Sequence, residues 1–271
     1  MKKILIACLS LTALLTSCSD DDSSSTGNNS PLVSTKQTLY ENGEVEEIFV
    51  SEYSNGKMTK MNWLTPENIQ MGYDIISYNS DGLLSSINTY LGTAVYSTTE
   101  YGYDNQGRMT TVHQQSEAEN VDYTRTFTHN NNNTITSTST NSWEEPKTFY
   151  LNSSGIVYKQ VSGDSTYEFT LDGSTVISAS YNGVVTRTYE YDEEHDPSLL
   201  NIDLGTGNFQ PNNTLRLNSL SDSTYDKYKI KVIEGNTITK DVYTFNEQGL
   251  PTKRLTYYNE VLQSQMEYFY N

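Results

Sequence analysis

The chain is poor in the residues that usually build a core or a catalytic centre. Its 271 residues include two cysteines, two tryptophans, three histidines and seven phenylalanines. Two cysteines are too few for a disulfide scaffold. Basic residues number 17 against 34 acidic ones, a formal net charge of −17. That balance argues against a nucleic-acid partner, because phosphate binding needs a basic face. Apolar residues make up 35 %, but 22 of them are tyrosine. Counted without Tyr and with Gly, the share falls to roughly a third, against about 45–50 % in ordinary soluble domains. Too few aliphatics remain for the double-layered core of an α/β sheet. The sequence also lacks HExxH, CxxC, a phosphate-binding loop and a nucleophile elbow. His113, His129 and His195 fall in three separate stretches, so neither a metal centre nor a cofactor is expected and no catalytic residue is assigned.

What is present begins at the N-terminus. Lys2 and Lys3 precede an uncharged, largely aliphatic run from Ile4 to Leu15. The run is too short to span a bilayer and has the layout of a secretory signal. Leu15-Thr16-Ser17-Cys18 follows, which resembles the lipobox of bacterial lipoproteins. The resemblance implies cleavage after residue 17 and lipidation of Cys18, with the membrane as partner through the acyl chains. Each buried CH₂ contributes about 0.8 kcal/mol, and more than one chain makes such anchoring stable. Loss of residues 1–17 removes two lysines, leaving 15 basic against 34 acidic residues, a net charge of −19. Ser19, Asp20, Asp21 and Asp22 come next and resemble the surface-export signal of Bacteroidota-type lipoproteins. Residues 18–37 are read as the lipidated Cys and a flexible acidic, Ser-rich tether, and 38–271 as one domain.

That domain repeats itself. Tyr101-Gly102-Tyr103-Asp104-Asn105-Gln106-Gly107 is the clearest copy; Ser77 to Leu84, Tyr53 to Met58, Phe149 to Ile156 and Tyr243 to Leu250 are others. The turn centres Gly56, Gly82, Gly107, Asn132, Gly155 and Gly173 lie 26, 25, 25, 23 and 18 residues apart. Aromatic-x-aromatic places two rings on one face of a strand. Asp or Asn then opens a turn by accepting nearby backbone N–H groups, and Gly supplies the positive φ three residues later. Further turns fall at Pro66 to Asn68, Gly92, Glu117 to Asn120, Asn141 to Pro146 and Asn182-Gly183. Each period is one antiparallel hairpin, which predicts an all-β, up-and-down meander of about 16–20 strands.

The pattern resembles the YD (RHS-like) repeats of wrapped secreted proteins. It is also similar to a family of Bacteroidota lipoproteins of unknown function with a porin-like fold, over about Leu39 to Asn271. Tyr189 to Pro197 and Tyr243 to Tyr258 carry that likeness, with Asp196-Pro197 standing where relatives usually have Asn-Pro. The resemblance implies a closed or nearly closed porin-like barrel on the outer membrane, exposed on the cell surface. Composition places that barrel in water, because a membrane barrel needs an apolar face on nearly every strand. Thr93 to Tyr103, Arg108 to Glu117 and Thr134 to Ser142 lack one; the last strand has Leu262, Ser264, Met266, Tyr268 and Tyr270 on one face.

The resulting expectation is a non-catalytic binding module for a glycan or protein ligand. Candidate contacts are Trp143 in a turn, Asp192 and His195 in the densest acidic cluster, and Phe209 in the long irregular stretch 197–224. That stretch breaks the repeat, and long loops in compact domains tend to be functional or disordered. Two rivals stand beside this reading. A glycan hydrolase would need two carboxylates about 5–10 Å apart, and a pore or transport accessory would need a continuous apolar outer belt. The anchor has a direct check: Cys18→Ala should move the protein from the detergent-rich to the aqueous phase on detergent phase separation, and continued membrane retention would refute lipidation.

Overall fold

The computed structural model describes residues 32–200 and 227–271. Eighteen antiparallel strands run from β1 (Leu32–Glu41) to β18 (Val261–Tyr270), with one 3-10 turn at Pro197–Leu200. Every strand pairs with its neighbours in sequence, and β18 returns to pair with β1. The meander is therefore a closed barrel, and closure removes the free edges of the sheet. One boundary moves. Residues 32–37, read above with the tether, are the first part of β1, because Thr35 and Gln37 pair with both β2 (Glu44–Ser54) and β18. Backbone pairing on both sides outweighs their polar composition.

The repeat turn is built as the sequence predicts. Asp104 Oδ1 accepts from the N–H of Gln106 and of Arg108, both at 2.9 Å. The Asp104 N–H donates to the Arg108 carbonyl, and the Gly107 N–H to the Asp104 carbonyl. Asn79, Asn152 and Asn246 make the same four bonds, with side-chain distances of 2.8 to 3.0 Å. Gly82, Gly107, Gly155 and Gly249 all have φ between 74° and 78°. In the Asn-rich copy the left-handed residue is Asn133, at φ 56°, one position after the expected Asn132.

A second device recurs at the strand ends. One residue before a turn, Tyr103 Oη donates to the Leu84 carbonyl at 2.8 Å and Tyr78 Oη to Met58; at the end of β18, Tyr270 Oη donates to the Pro251 carbonyl at 2.6 Å. His129 stands in the same place and its Nε2 meets the Met109 carbonyl at 2.8 Å. Burial holds this imidazole below its usual pKa, so it is the neutral Nε2–H form that donates. Each acceptor follows the preceding turn of the same end. The tyrosine of one repeat thus fastens the hairpin of the repeat before it.

These turns share one end of the barrel, together with Leu32, Tyr270 and the departure of the chain at Asp192. The deeply buried large side chains gather there too: Tyr228, Phe149, Met109, Ile135, Met266, Val112, Val157, Val176 and Pro197. They belong to three hydrophobic clusters and the excursion that leaves this end. That end holds the hydrophobic clusters of the described residues. The last strand's regular face, Ser264, Met266 and Tyr268, points into this core, where Met266 pairs across to Gln37 and Arg254. The outer wall carries charge at mid-strand, as in the cross-strand pairs Glu52 and Lys60, Glu100 and His113, Lys159 and Glu168, and Glu190 and Lys231. A lipid-facing Lys or Arg at the bilayer midplane costs about 2–4 kcal/mol, a cost these positions would carry on a lipid-facing wall.

Tyr103→Phe should lower unfolding stability by about 1 kcal/mol by leaving the Leu84 carbonyl without its donor. Denaturant titration at unchanged m-value is the check.

Candidate functional site

Above the packed end, the inner wall carries three arginines. Arg125 lies on β8 (Val121–Asn130), Arg187 on β14 (Val184–Tyr191) and Arg254 on β17 (Pro251–Tyr258). Strand alternation puts each on the face that holds the aromatic rings: Arg125 pairs with Val112, Arg187 with Ala179, and Arg254 with Tyr243 and Met266.

Each arginine sits with two tyrosines and a carboxylate. Around Arg125 these are Tyr101, Tyr123 and Glu144. Its Nε donates to Glu144 Oε2 at 2.7 Å and its second terminal nitrogen to Oε1, a two-point grip. The guanidinium also lies 5.2 Å from the Tyr123 ring centroid, and Tyr123 Oη donates to Gln114 at 2.6 Å. Hydrogen bonding from Arg125 is the main reason Glu144 is held below the usual carboxylate range. Around Arg187 the partners are Tyr167, Tyr189 and Glu234, with Nε 3.0 Å from Glu234 Oε2. Around Arg254 they are Tyr243, Tyr268 and Asp241.

The third group differs from the other two. The Arg254 guanidinium is half-buried among its neighbours, as are Tyr243 and Tyr268. Burial holds both tyrosines well above their usual pKa, so they are neutral at pH 7 and Asp241 is the formal negative charge acting on Arg254. The Asp241 Oδ1 atom is itself taken by the Thr256 hydroxyl at 2.6 Å. The guanidinium hydrogen-bonds the Tyr243 hydroxyl, while its Nε has no hydrogen-bond partner among the described residues.

On the same inner face, Asp74 is buried and accepts from Thr89 Oγ1 at 2.6 Å. Burial raises its pKa to about 6, and neither the Thr89 hydroxyl nor the nearby Trp63 indole offsets this. Trp63 packs against the first cluster from inside the barrel.

The expected contact residues are not brought together. Trp143 is 92 % exposed, in the connection between β9 (Thr134–Ser139) and β10 (Lys147–Leu151), at the end of the barrel opposite the Asx turns. Its neighbour Glu144 reaches inward to Arg125. Asp192 and His195 sit at the packed end. Asp192 Oδ1 accepts from the N–H of Glu194 at 2.7 Å and of His195 at 3.2 Å, and Oδ2 meets His195 Nδ1 at 2.9 Å. The His195 ring stacks on Phe245 at 3.5 Å and 3°. This pair fastens the start of the excursion to β16 (Thr237–Phe245). Cys18, Ser19, Asp20, Asp21, Asp22 and Phe209 lie outside the described residues. The inward arginines were not foreseen, although Tyr123-x-Arg125-x-Phe127 and Arg187-x-Tyr189-x-Tyr191 place them by simple alternation.

Asp74→Asn gives a pH test. A raised carboxyl pKa means that the folded chain holds this proton more tightly than the unfolded one. Its stabilising contribution is full below about pH 4 and is lost as pH rises through about 6. The variant should lose that slope and be more stable than the parent at pH 7.5, by at most about 3 kcal/mol at 1.36 kcal/mol per pKa unit. Thermal melts of both proteins from pH 4 to 8 measure it.

Comparison with known proteins gives a match to the RHS Repeat family model over residues 78–114, a span holding the Asn79 and Asp104 turns. No curated protein matches the chain. Among solved structures, a porin-like protein from Bacteroides uniformis is similar at 12 % identity and TM-score 0.45, over 90 % of this chain and 99 % of that one. A structure of TcdB2-TccC3-TEV is similar at 10 % identity and TM-score 0.27, over 87 % of this chain and 14 % of that one. The residues that match the RHS Repeat model form β-hairpins within the eighteen-stranded barrel.

Proposed function

We propose that this protein is a non-catalytic binding module, a cup on a lipid tether at the outer cell surface, which receives a small polar ligand in its barrel. The observation that carries the reading is the set of three inward arginines, each beside two tyrosines, above the end that holds the hydrophobic clusters. Arginine forks and aromatic faces recognise ligands without chemistry of their own. The lipobox-like Leu15 to Cys18 and the acidic run after it support the tether and the surface address. The first described residue, Leu32, leaves the barrel at its packed end, which turns the opposite end away from such a tether.

The hydrolase alternative finds little support. Its acid would have to be a carboxyl of raised pKa, Asp74 or Glu47, yet no second carboxylate contributes to the Asp74 shift, and the one beside Glu47 is its chain neighbour Glu46, on the opposite face of β2. Glu144 and Glu234 are occupied by arginines.

The two tryptophans separate inside from outside. In a Trp143→Phe variant the remaining fluorescence comes from Trp63, within the barrel. Across a panel of glycans and peptides, a ligand held in the cup should change Trp63 emission and be recovered unaltered in mass. Ligands that act only on Trp143, or that are cleaved, would overturn this reading.

A further inference from the structure

One wall of the barrel reverses the charge balance of the chain. Residues 227–254 hold six basic residues against three acidic ones, where the whole chain has 17 against 34. We infer that the outer wall of β15 (Lys229–Glu234), β16 and β17 lies against a membrane surface that carries anionic headgroups; this rests on the lipid tether proposed above.

Strand register places the side chains. Val232, Tyr243 and Arg254 face inward, so the alternate positions on these strands face out. Three apolar cross-strand pairs stand there: Ile233 with Ile238, Val242 with Leu255, and Tyr257 with Leu262 of β18. Ile238 and Val242 are each 41 % exposed. Lys231, Lys240 and Lys253 lie among these pairs. The outward positions of β15 to β17 hold no acidic residue, because Glu234 and Asp241 turn in toward Arg187 and Arg254.

The lysines set this wall apart from an ordinary solvated face. Elsewhere on the outside, Lys60 stands opposite Glu52, Lys159 reaches Glu168, and His113 lies between Glu100 and Asp122. Here Lys231 stands directly opposite Lys240, and like charges so placed destabilise a sheet. Lys231 meets Glu190 at 2.8 Å on one margin of the wall, and Lys253 stands opposite Glu267 on the other. Lys240, between them, has no ion pair among the described residues. Phosphate headgroups supply the missing counter-charge, while the aliphatic pairs and Tyr257 rest at the acyl boundary. A second copy presenting this same wall would set lysine against lysine.

The wall also sits beside the tether. β1, the first described strand, pairs with β18, so the chain from Cys18 enters next to Leu262's strand. The fourteen steps from Cys18 to Leu32 span about 50 Å at most. That leash lets the barrel lie on its side, with its mouth clear of the lipid.

The test mixes the full-length chain with vesicles whose acyl chains are brominated, a quencher of tryptophan. In a Trp143→Phe background, Val242→Trp reports the wall. Thr126→Trp is the control, an exposed position on β8, nine strands away around the ring of eighteen. On phosphatidylcholine vesicles containing phosphatidylglycerol, Val242→Trp should be quenched at least twofold more strongly than Thr126→Trp. High salt, or Lys240→Gln, should remove at least half of that difference. Lys240→Gln relieves the contact with Lys231, so it should melt at or above the parent temperature, and its loss of quenching is then not a loss of fold. Equal quenching at both positions, or none at either, on vesicles with which the chain floats would overturn the inference and leave the tether standing. Flotation with the anionic vesicles alone, with quenching at 242, would end the tether reading and leave the wall. Flotation with neither would refute both. An emission shift at 242 that follows protein concentration without lipid would make a second copy the occupant and overturn the inference.

Discussion

The barrel depends on one local bond pattern, a side-chain oxygen of Asp or Asn that takes two backbone N–H groups at the head of a turn. It reverses the chain within five residues and leaves the flanking strands in the same relation each time. Asn79, Asp104, Asn152 and Asn246 reproduce it with distances that differ by no more than 0.2 Å. Before two of these turns stands a tyrosine, Tyr78 or Tyr103, whose hydroxyl donates to the carbonyl after the preceding turn; Leu151 and Phe245 stand before the other two and have no donor to offer. The hydrophobic clusters are then assembled from the positions that this geometry stacks at one end.

The division between a packed end and an open interior follows from composition. A barrel of eighteen strands encloses more volume than so few aliphatic side chains can fill. The chain concentrates its Met, Phe, Ile and Val near the turns. Above them it lines the wall with Arg, Tyr, Thr and acidic residues. Tyrosine suits the transition, since its ring joins the cluster below while its hydroxyl faces polar space. The charged outer wall and the mixed inner wall therefore have different causes: one faces solvent, the other surrounds an interior too wide to be dry.

The fold was largely legible because its signal is local and repeated. Gly107 announces its turn within ten residues, and Tyr101 with Tyr103 announces the inward face. The site was legible only in part. Trp143 was placed in a turn, and it lies in one, but its full exposure carries no mark in the sequence. Asp192 and His195 drew attention as a charged cluster, yet they form a turn lock against Phe245. Arg254 carries no motif: its partners Tyr243 and Tyr268 come from neighbouring strands, and Asp241 meets it only through pairing across β16. Strand register decides such groupings, and a bulge at Thr256/Tyr257 or Thr244/Phe245 changes which residues share a face. No local pattern reports those shifts.

The pairing of β1 with β18 gives the ring a seam. Everywhere else neighbouring strands are neighbours in sequence, so their contacts can form as the chain emerges. At the seam Leu39 meets Ser264, more than two hundred residues away. Sixteen hairpin contacts are cheap in loop entropy; β14 and β15 meet across the excursion, and the seam is the most expensive. Until the final strand has been made, the growing sheet has two bare edges open to any other strand. A chain closed in this way completes its fold only with that strand. Its C-terminal residues, Tyr268 and Tyr270 among them, therefore act as the clasp on which the integrity of the whole ring waits.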